Sequence, residues 1–271
     1  MKGCIPHIRT SPLKIMQLTK AALKAICREH NLYMTPSLND VLYCNSGGFT
    51  TLTGLEAYCN VKSVFFENNA LTDLSTMPSL PFLKCLYLQN NAIKSLEGLD
   101  TKAPSLHSLN VSRNQLASLD RLNLAELSTL LCAENRLNDI ESISVLGKMT
   151  QLQTLDLQEN ELADFDVVLD LLATLPELRC LYLAGNPLVR AAPNYRKRLI
   201  LALPNLCYLD DSPVFDKERR CAEAWATAGR EIEAQQAEQR LSTASARLAD
   251  PSSVLAEVDE SRGTTAGDET I

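Results

Sequence analysis

The sequence lacks the features that mark membrane and secreted proteins. No apolar run approaches the roughly 18 residues that a membrane span needs, and the first residues, MKGCIPHIRTSP, contain no hydrophobic signal segment. The nine cysteines are odd in number and include no C-x-x-C pair, so neither a disulfide framework nor a zinc knuckle is indicated. We therefore expect a cytoplasmic protein with reduced thiols that is not inserted in a membrane.

Positive charge and catalytic motifs are also scarce. The net charge of -7 and the pI near 5.1 argue against a nucleic-acid binder. Only His7, His30 and His107 could supply imidazole, and they are too dispersed for a metal motif. Neither a Gly-rich phosphate loop nor a G-x-S-x-G elbow is present. The adjacent acids Asp210 and Asp211 are expected to cap a turn rather than to act in acid–base chemistry. The sequence predicts no enzyme, no metal and no cofactor.

A repeated pattern dominates what is present. The chain has 271 residues, 45% of them hydrophobic, which is enough for a sizeable core in one or two domains. The template L-x-x-L-x-L-x-x-N-x-L is matched six times, with steps from one Asn to the next of 22, 23, 21, 25 and 26 residues. That is the period of leucine-rich repeats. The predicted fold is an α/β solenoid of the short repeat class, about 22 residues per coil, with a parallel concave sheet.

The Asn of each repeat is predicted to be structural. A coil must turn sharply after its strand, and the turn leaves backbone groups in a dry interior, where an unpaired group costs about 1–3 kcal/mol. A side-chain amide carries donors and acceptors, so stacked amides can pair with these groups. The predicted Asn ladder consists of Asn69, Asn91, Asn114, Asn135, Asn160 and Asn186.

Both ends of the solenoid are predicted to be capped. At the first end, Thr19 is the expected N-cap of a helix that carries Leu23, Ile26 and Cys27 on one face. At the other end a short helix and a partial strand are expected to cover the last repeat, through Tyr195, Leu199, Leu203, Leu206 and Leu209. The predicted organisation is a flexible N-terminus (1–18), a helix and capping coil (19–60), six repeats (61–193), a C-terminal cap (194–215), a projecting helix (216–249) and a disordered tail (250–271).

Function is predicted to lie on the concave face, because alternate side chains of each strand point there. The positions between the second and third apolar residues of the repeats are Phe65, Tyr87, Asn110, Leu131, Asp156 and Tyr182. Aromatic side chains contribute large contact area at low entropic cost, so this set suggests a protein-binding surface. The acids Glu67, Glu134 and Glu159 are expected to rim it. The alternative is that the aromatic rings only stack on one another and stiffen the sheet.

Three segments carry a resemblance to a known family. They are TKAALKAICREHNLYMTPSLNDVLYCNSGGF, the cap PNYRKRLILALPNLCYLDD, and DDSPVFDKERRCAEAWATAGREIE, which contains Trp225. The cap is shared with phosphatase-regulating and spliceosomal repeat adaptors, whereas the other two segments are more specific. Together, over about Thr19 to Glu233, they resemble the leucine-rich-repeat axonemal dynein assembly factors.

This resemblance implies a non-catalytic scaffold for the cytoplasmic preassembly of axonemal dynein arms, and hence for ciliary or flagellar motility. The implied partners are axonemal dynein subunits and chaperones or co-chaperones, bound by a monomeric solenoid. The family has no catalytic residues to transfer, and no motif fixes its binding residues. The alternative function is a structural or regulatory adaptor that recruits a phosphatase or docks on the axoneme.

Overall fold

The computed structural model describes residues 17–249. Most of the predicted flexible N-terminus, with His7, and the whole predicted tail lie outside these residues. The described part divides into two units, residues up to Phe215 and residues from Asp216 on.

The first unit contains one sheet of nine short strands in sequence order. They are β1 Val41–Tyr43, β2 Ser63–Phe65, β3 Cys85–Tyr87, β4 Ser108–Asn110, β5 Thr129–Leu131, β6 Thr154–Asp156, β7 Cys180–Tyr182, β8 Tyr208–Leu209 and β9 Ser212–Pro213. Strands β1 to β8 pair in parallel, each with the next, and β9 pairs antiparallel with β8. The predicted leucine-rich-repeat solenoid is confirmed.

Alternation along each strand places the repeat leucines in the core. In β3, Leu86 is buried between the half-buried Cys85 and Tyr87, and Leu83 and Leu88 on either side of the strand are also buried. Because the side chains of a strand alternate between its two faces, Leu86 faces the interior and Tyr87 faces the opposite side of the sheet. We call this opposite, solvent-facing side the concave face.

The strand β1 belongs to a coil that the template does not match. Its Leu42 pairs in register with Val64, so the predicted capping coil is also a member of the sheet. Two template positions differ in this coil: Asn39 replaces the first leucine, and Gly47 replaces the ladder Asn. Asn39 is buried, and its amide exchanges hydrogen bonds with the backbone N–H and C=O of Tyr33 (2.8 and 2.9 Å). Asn39 therefore closes the loop that connects the first helix to the sheet.

Helices and 3₁₀ turns fill the return segments, by which we mean the part of each coil between its ladder Asn and the next strand. The helices of the first unit are α1 Lys20–Glu29, α2 Leu99–Lys102, α3 Ile140–Ile143, α4 Phe165–Leu172, α5 Pro187–Ala191 and α6 Tyr195–Ala202. The 3₁₀ turns are Pro36–Leu38, Leu55–Ala57 and Ser144–Lys148. Thr19 caps α1 by accepting a hydrogen bond from Ala22 N (3.2 Å), as predicted. Helices α3 and α4 lie in the return segments before β6 and β7, and α5 and α6 lie in the longest one, before β8.

The ladder Asn side chains pair with the backbone of adjacent coils. Asn135 is buried, and its Oδ1 accepts a hydrogen bond from Leu116 N (3.0 Å). Its Nδ2 donates to the carbonyl oxygens of Val111 (3.0 Å), Cys132 (3.1 Å) and Ala133 (3.1 Å). The same contacts, within and between coils, recur along the ladder. Each amide therefore pairs groups that the turn would otherwise leave unsatisfied.

The residue before each ladder Asn is left-handed. Its φ lies between 51° and 83° at Asn68, Asn90, Arg113, Glu134, Glu159 and Gly185. The backbone N–H groups of the first five of these residues donate to the next coil, as Glu134 N does to Gln158 O (2.8 Å). The sharp turn after the strand therefore needs a left-handed residue as well as the Asn, and side chains other than glycine bear the strain at most of these positions.

The last coil is covered by α6 and by the hairpin of β8 and β9. Leu199, Leu203, Leu206 and Leu209 are all buried, and Tyr195 packs against them partly buried. The predicted strand around Leu206 and Leu209 starts later than expected, at Tyr208, and Leu206 lies in the turn before it.

The second unit is described by one helix, α7 Asp216–Ala249, in the range where the sequence predicts a long helix. Asp216 and Glu218 lie in its first turn, where negative charge favours the helix dipole. The apolar and polar residues of α7 are not segregated onto opposite faces as they are in α1 and α4.

Candidate protein-binding face

The six predicted concave residues form one row across the sheet. Strand pairing aligns Phe65, Tyr87, Asn110, Leu131, Asp156 and Tyr182 in that order. All six are half-buried. Tyr43 of β1 pairs with Phe65 and extends the row by one residue. Sequence reasoning missed Tyr43, although Leu42 and Cys44, two residues apart, carry the strand pattern.

The first part of the row is a stack of aromatic rings. The ring centroids of Phe65 and Tyr87 are 4.6 Å apart with their planes 5° apart, and those of Tyr43 and Phe65 are 5.1 Å and 18° apart. His30, at the C-terminal end of α1, lies 4.9 Å from Tyr43. We call Tyr43, Phe65 and Tyr87 the aromatic wall. The rings do stack as the alternative expects, but all three residues are half-buried rather than buried.

Two tyrosines lie close together where the row reaches β7. Tyr182 belongs to the row, whereas Tyr208 of β8 pairs in register with Cys180 and lies outside it. The ring of Tyr182 on β7 is 5.8 Å from that of Tyr208 on β8, with their planes 47° apart. Burial raises the pKa of Tyr182, and the neighbouring Cys180, Tyr208 and Asp156 raise it further. We call these two residues the tyrosine pair. Tyr208 is a second concave residue that the sequence pattern did not reveal, because the last coil lacks the repeat Asn.

Between the aromatic wall and the tyrosine pair, the side chains of the row rise less above the sheet. The Oδ1 of Asn110 accepts a hydrogen bond from Ser112 N (3.0 Å), and the Oδ1 of Asp156 accepts one from Gln158 N (3.0 Å). Both side chains are therefore folded back along their own strands. Burial raises the pKa of the Asp156 carboxyl, and the nearby carboxylates of Asp210 and Glu134 raise it further.

The three predicted rim acids do not occupy equivalent positions. Glu67 follows Phe65 by two residues and continues the concave side of its own strand. Glu134 and Glu159 are instead left-handed residues in the turns at the strand ends. Glu134 also forms an ion pair that was not predicted: Arg113 Nε donates a hydrogen bond to its Oε1 over 2.7 Å. Glu134 and Glu159 are both exposed, and Glu67 is half-buried. The acidic rim stays a prediction.

The histidines and cysteines of the described part are not gathered into a site. The Nδ1 of His107 lies 2.7 Å from Ser105 O, and His30 stacks on Tyr43. Within residues 17–249 no group of three His, Cys, Asp or Glu side chains could hold a metal ion, and no helix is long and apolar enough to cross a membrane. The eight cysteines there are free thiols. What the structure assembles is instead the aligned row of side chains on the concave face.

Family models and solved structures match the same repeats. The family model described as Leucine-rich repeat matches residues 110–238, and the one described as Leucine Rich repeats (2 copies) matches residues 81–125. A crystal structure of an internalin from Listeria monocytogenes is similar with a TM-score of 0.52 and 24% identity, covering 65% of this chain and 49% of that chain. This last likeness concerns the fold alone.

Two curated relatives match most of the chain. It is 48% identical over 216 residues to the leucine-rich repeat-containing protein ODA7 of Chlamydomonas reinhardtii, covering 80% of this chain and 50% of the relative. It is 37% identical over 244 residues to human dynein axonemal assembly factor 1, covering 90% of this chain and 34% of the relative. The chain thus spans half or less of the length of these relatives.

Proposed function

We propose that this chain, a leucine-rich-repeat protein homologous to the dynein axonemal assembly factors, is a non-catalytic scaffold for the assembly of axonemal dynein arms. Its role would be to hold a protein partner on the concave face while the arms are assembled in the cytoplasm. Ciliary or flagellar motility would then depend on it.

The observation that carries the proposal is the row of side chains on the concave face. Phe65, Tyr87 and Tyr182 occupy positions where the fold needs no aromatic residue, since the same positions hold Asn110 and Asp156 in neighbouring coils. Aromatic residues are enriched among those that dominate binding energy in protein interfaces. Their placement on an open, continuous face favours a protein partner over a small molecule.

The partners proposed are axonemal dynein subunits together with chaperones or co-chaperones. The solenoid is proposed to act as a monomer in soluble cytoplasm, in cells that build cilia or flagella. These finer points rest on the homology and on the sequence resemblance, and they define what should be retrieved with the protein.

The test replaces two anchors and leaves the core intact. Tyr87→Ala combined with Tyr182→Ala removes rings that face solvent, without altering a buried leucine or a ladder Asn. If the rings are anchors, each substitution costs about 2 kcal/mol of affinity, or roughly 30-fold. Partner retrieval and dynein-arm assembly in a null cell should then fail. Phe82→Ala is the matched control, because Phe82 is 57% exposed but lies in a return segment.

A double variant that folds and still retrieves every wild-type partner would overturn the concave-face assignment. Trp225→Ala on α7 would be the next substitution, since that indole is 39% exposed. The adaptor alternative is tested by fractionation. An assembly factor should be recovered in soluble cytoplasm, whereas an axoneme-docked adaptor should remain with salt-washed axonemes.

A further inference from the structure

We propose that the partner segment held on the concave face is an α-helix that lies along strands β4 to β6 and presents Lys or Arg to Asp156 and Glu159. This rests on the proposed function, which places a protein partner on that face. It specifies which part of the face is occupied, by what conformation, and with what charge.

The width of the open part of the face fits a helix. Tyr87 of the aromatic wall and Tyr182 of the tyrosine pair are four strands apart in the aligned row. At about 4.8 Å between strands, the two rings stand about 19 Å apart. The facing half-thicknesses of the two rings together take up about 4 Å, so about 15 Å remains, which is wide enough for an α-helix with its side chains, about 10–12 Å in diameter.

The side chains at the bottom of this gap rise little above the sheet. Its nine concave positions on and just after β4, β5 and β6 are Ser108, Asn110, Ser112, Thr129, Leu131, Ala133, Thr154, Asp156 and Gln158. Asn110 and Asp156 fold back onto backbone N–H groups two residues later, so they add little height. Leu131 lies at the centre of the row and offers an apolar contact. We call this gap the trough.

An extended strand would fit the trough poorly. Every backbone donor and acceptor of a docked strand would need a partner, but the N–H and C=O groups of β4, β5 and β6 already bond to their neighbours within the sheet. A helix satisfies its own backbone and needs only side-chain contacts. Strands of this sheet extend along the trough for about six or seven residues with their flanks, roughly 20 Å, which a helix of about 13 residues spans.

The carboxylates of the trough favour a partner that presents a Lys or Arg side chain. Asp156 lies on its floor, Glu159 is exposed at its edge, and no ion pair joins either carboxylate to a Lys or Arg among residues 17–249. Glu134, at the same edge, is compensated by Arg113. Partial burial raises the pKa of Asp156, and repulsion from the carboxylates of Asp210 and Glu134 raises it further. A Lys or Arg of the partner would offset this repulsion and favour the charged carboxylate.

The test is a selection from two displayed libraries of 18-residue peptides against the full chain. One library is randomised on a helical Ala, Glu and Lys background, and the other carries the same randomised positions around a central Pro-Gly that prevents a helix. We expect binders from the helical library only, enriched in Lys or Arg at i and i+4 on one face. Their binding should weaken as salt is raised.

Matched variants localise the binding. Leu131→Trp fills the trough and should weaken the selected peptides at least 10-fold, whereas Ala117→Trp, at an exposed position in a return segment, should not. Asp156→Asn with Glu159→Gln should weaken them by about 5- to 10-fold, whereas Asp120→Asn in a return segment should leave them unchanged. Circular dichroism verifies that each variant is folded.

Several results would overturn the inference: no binders, binders from the non-helical library, binders without cationic enrichment, or equal binding to the Leu131→Trp protein. Failure here can be told apart from failure of the proposed function. The peptide selection can contradict the helix inference while the Tyr87→Ala, Tyr182→Ala variant still abolishes dynein-arm assembly. The proposed function falls if that double variant assembles arms normally.

Discussion

The hydroxyl of Tyr195 donates a hydrogen bond to Oδ2 of Asp210 over 3.1 Å, and this bond joins the cap helix to the last turn of the sheet. The other oxygen of Asp210 accepts from Leu183 N (2.8 Å) and Ala184 N (3.0 Å) in the preceding coil. Asp210 thus satisfies backbone donors at the end of the solenoid, where no further ladder Asn follows. Burial raises the pKa of Tyr195, and the carboxylate of Asp210 raises it further, so the hydroxyl keeps its proton.

The bond between Tyr195 and Asp210 should be measurable in stability. Tyr195→Phe removes one hydrogen bond to a charged group and should cost about 1–2 kcal/mol. Asp210→Ala should cost about 3 kcal/mol, because it also leaves two backbone N–H groups without an acceptor. Urea unfolding measures both. Asp211→Asn is the control, since Asp211 is exposed. Equal stability of Asp210→Ala and Asp211→Asn would show that Asp210 does not hold the cap.

Removal of a buried ladder amide should be more costly than removal of a terminal one. Asn135→Ala leaves Leu116 N and three carbonyl oxygens without their partner, and should destabilise the protein by about 3 kcal/mol or more. Asn69 makes comparable bonds but is only half-buried, so water can replace them. Asn69→Ala should therefore cost less. The reverse order in chemical unfolding would contradict a structural role that depends on burial.

The Asp156 carboxyl should make stability depend on pH. Its pKa is raised in the folded state, so the folded protein binds this proton more tightly than the unfolded chain, and stability falls as pH rises through the raised pKa. Asp156→Asn keeps an acceptor for Gln158 N and removes the charge. It should raise the thermal midpoint at pH 7, and the gain should vanish near pH 3, where the wild-type carboxyl is already protonated. A gain that is the same at both pH values would refute this cause.

The two aromatic clusters should differ in their contribution to stability. Phe65 stacks on Tyr43 and on Tyr87, whereas Tyr182 has one aromatic neighbour in the described part of the chain, Tyr208. Each aromatic pair is worth about 0.5–1.5 kcal/mol beyond its burial. Phe65→Ala should therefore destabilise the fold by about 1 kcal/mol more than Tyr182→Ala does. If both substitutions lower the free energy of unfolding equally, stacking in the wall contributes nothing measurable.

Thiol reactivity should follow burial. Burial raises the pKa of Cys44 to about 12 and also raises that of Cys132, so neither thiol forms a thiolate at pH 8. Cys59 and Cys207 are exposed. Alkylation of the folded protein at pH 8, read by mass spectrometry, should modify the exposed pair and spare the buried pair. Guanidine is the control that makes all four react. Rapid native labelling of Cys132 would contradict the packing of its coil.

The sequence predicted the repeat well because the relevant signals are local. Leu86 and Leu88 lie two residues apart, and Asn91 follows at a fixed offset, so strand, core and turn can be assigned within a dozen residues. The coil of β1 escaped this reasoning, because Asn39 and Gly47 replace both the first leucine and the ladder Asn. Neither substitution prevents the backbone from pairing with β2.

Positions on the concave face were predictable, but their relationships were not. The pair of Arg113 and Glu134 joins residues 21 positions apart, which meet only when successive coils stack. The stacking of His30 on Tyr43 likewise depends on where α1 ends relative to the first coil. The sequence position of a charged or aromatic residue therefore does not predict which residues it contacts until the register between coils is known.

By itself the sequence determined the solenoid, because a period of leucines and one Asn leaves a coil only one way to bury the leucines and to satisfy the turn. Only the tertiary structure decided how the face is divided into an aromatic wall, a trough and a tyrosine pair. That division depends on which side chains the parallel register aligns across separate coils, and on how Asn110 and Asp156 fold back onto their own backbone. Such contacts join residues distant in the chain, and their geometry is set by stacking rather than by any local pattern.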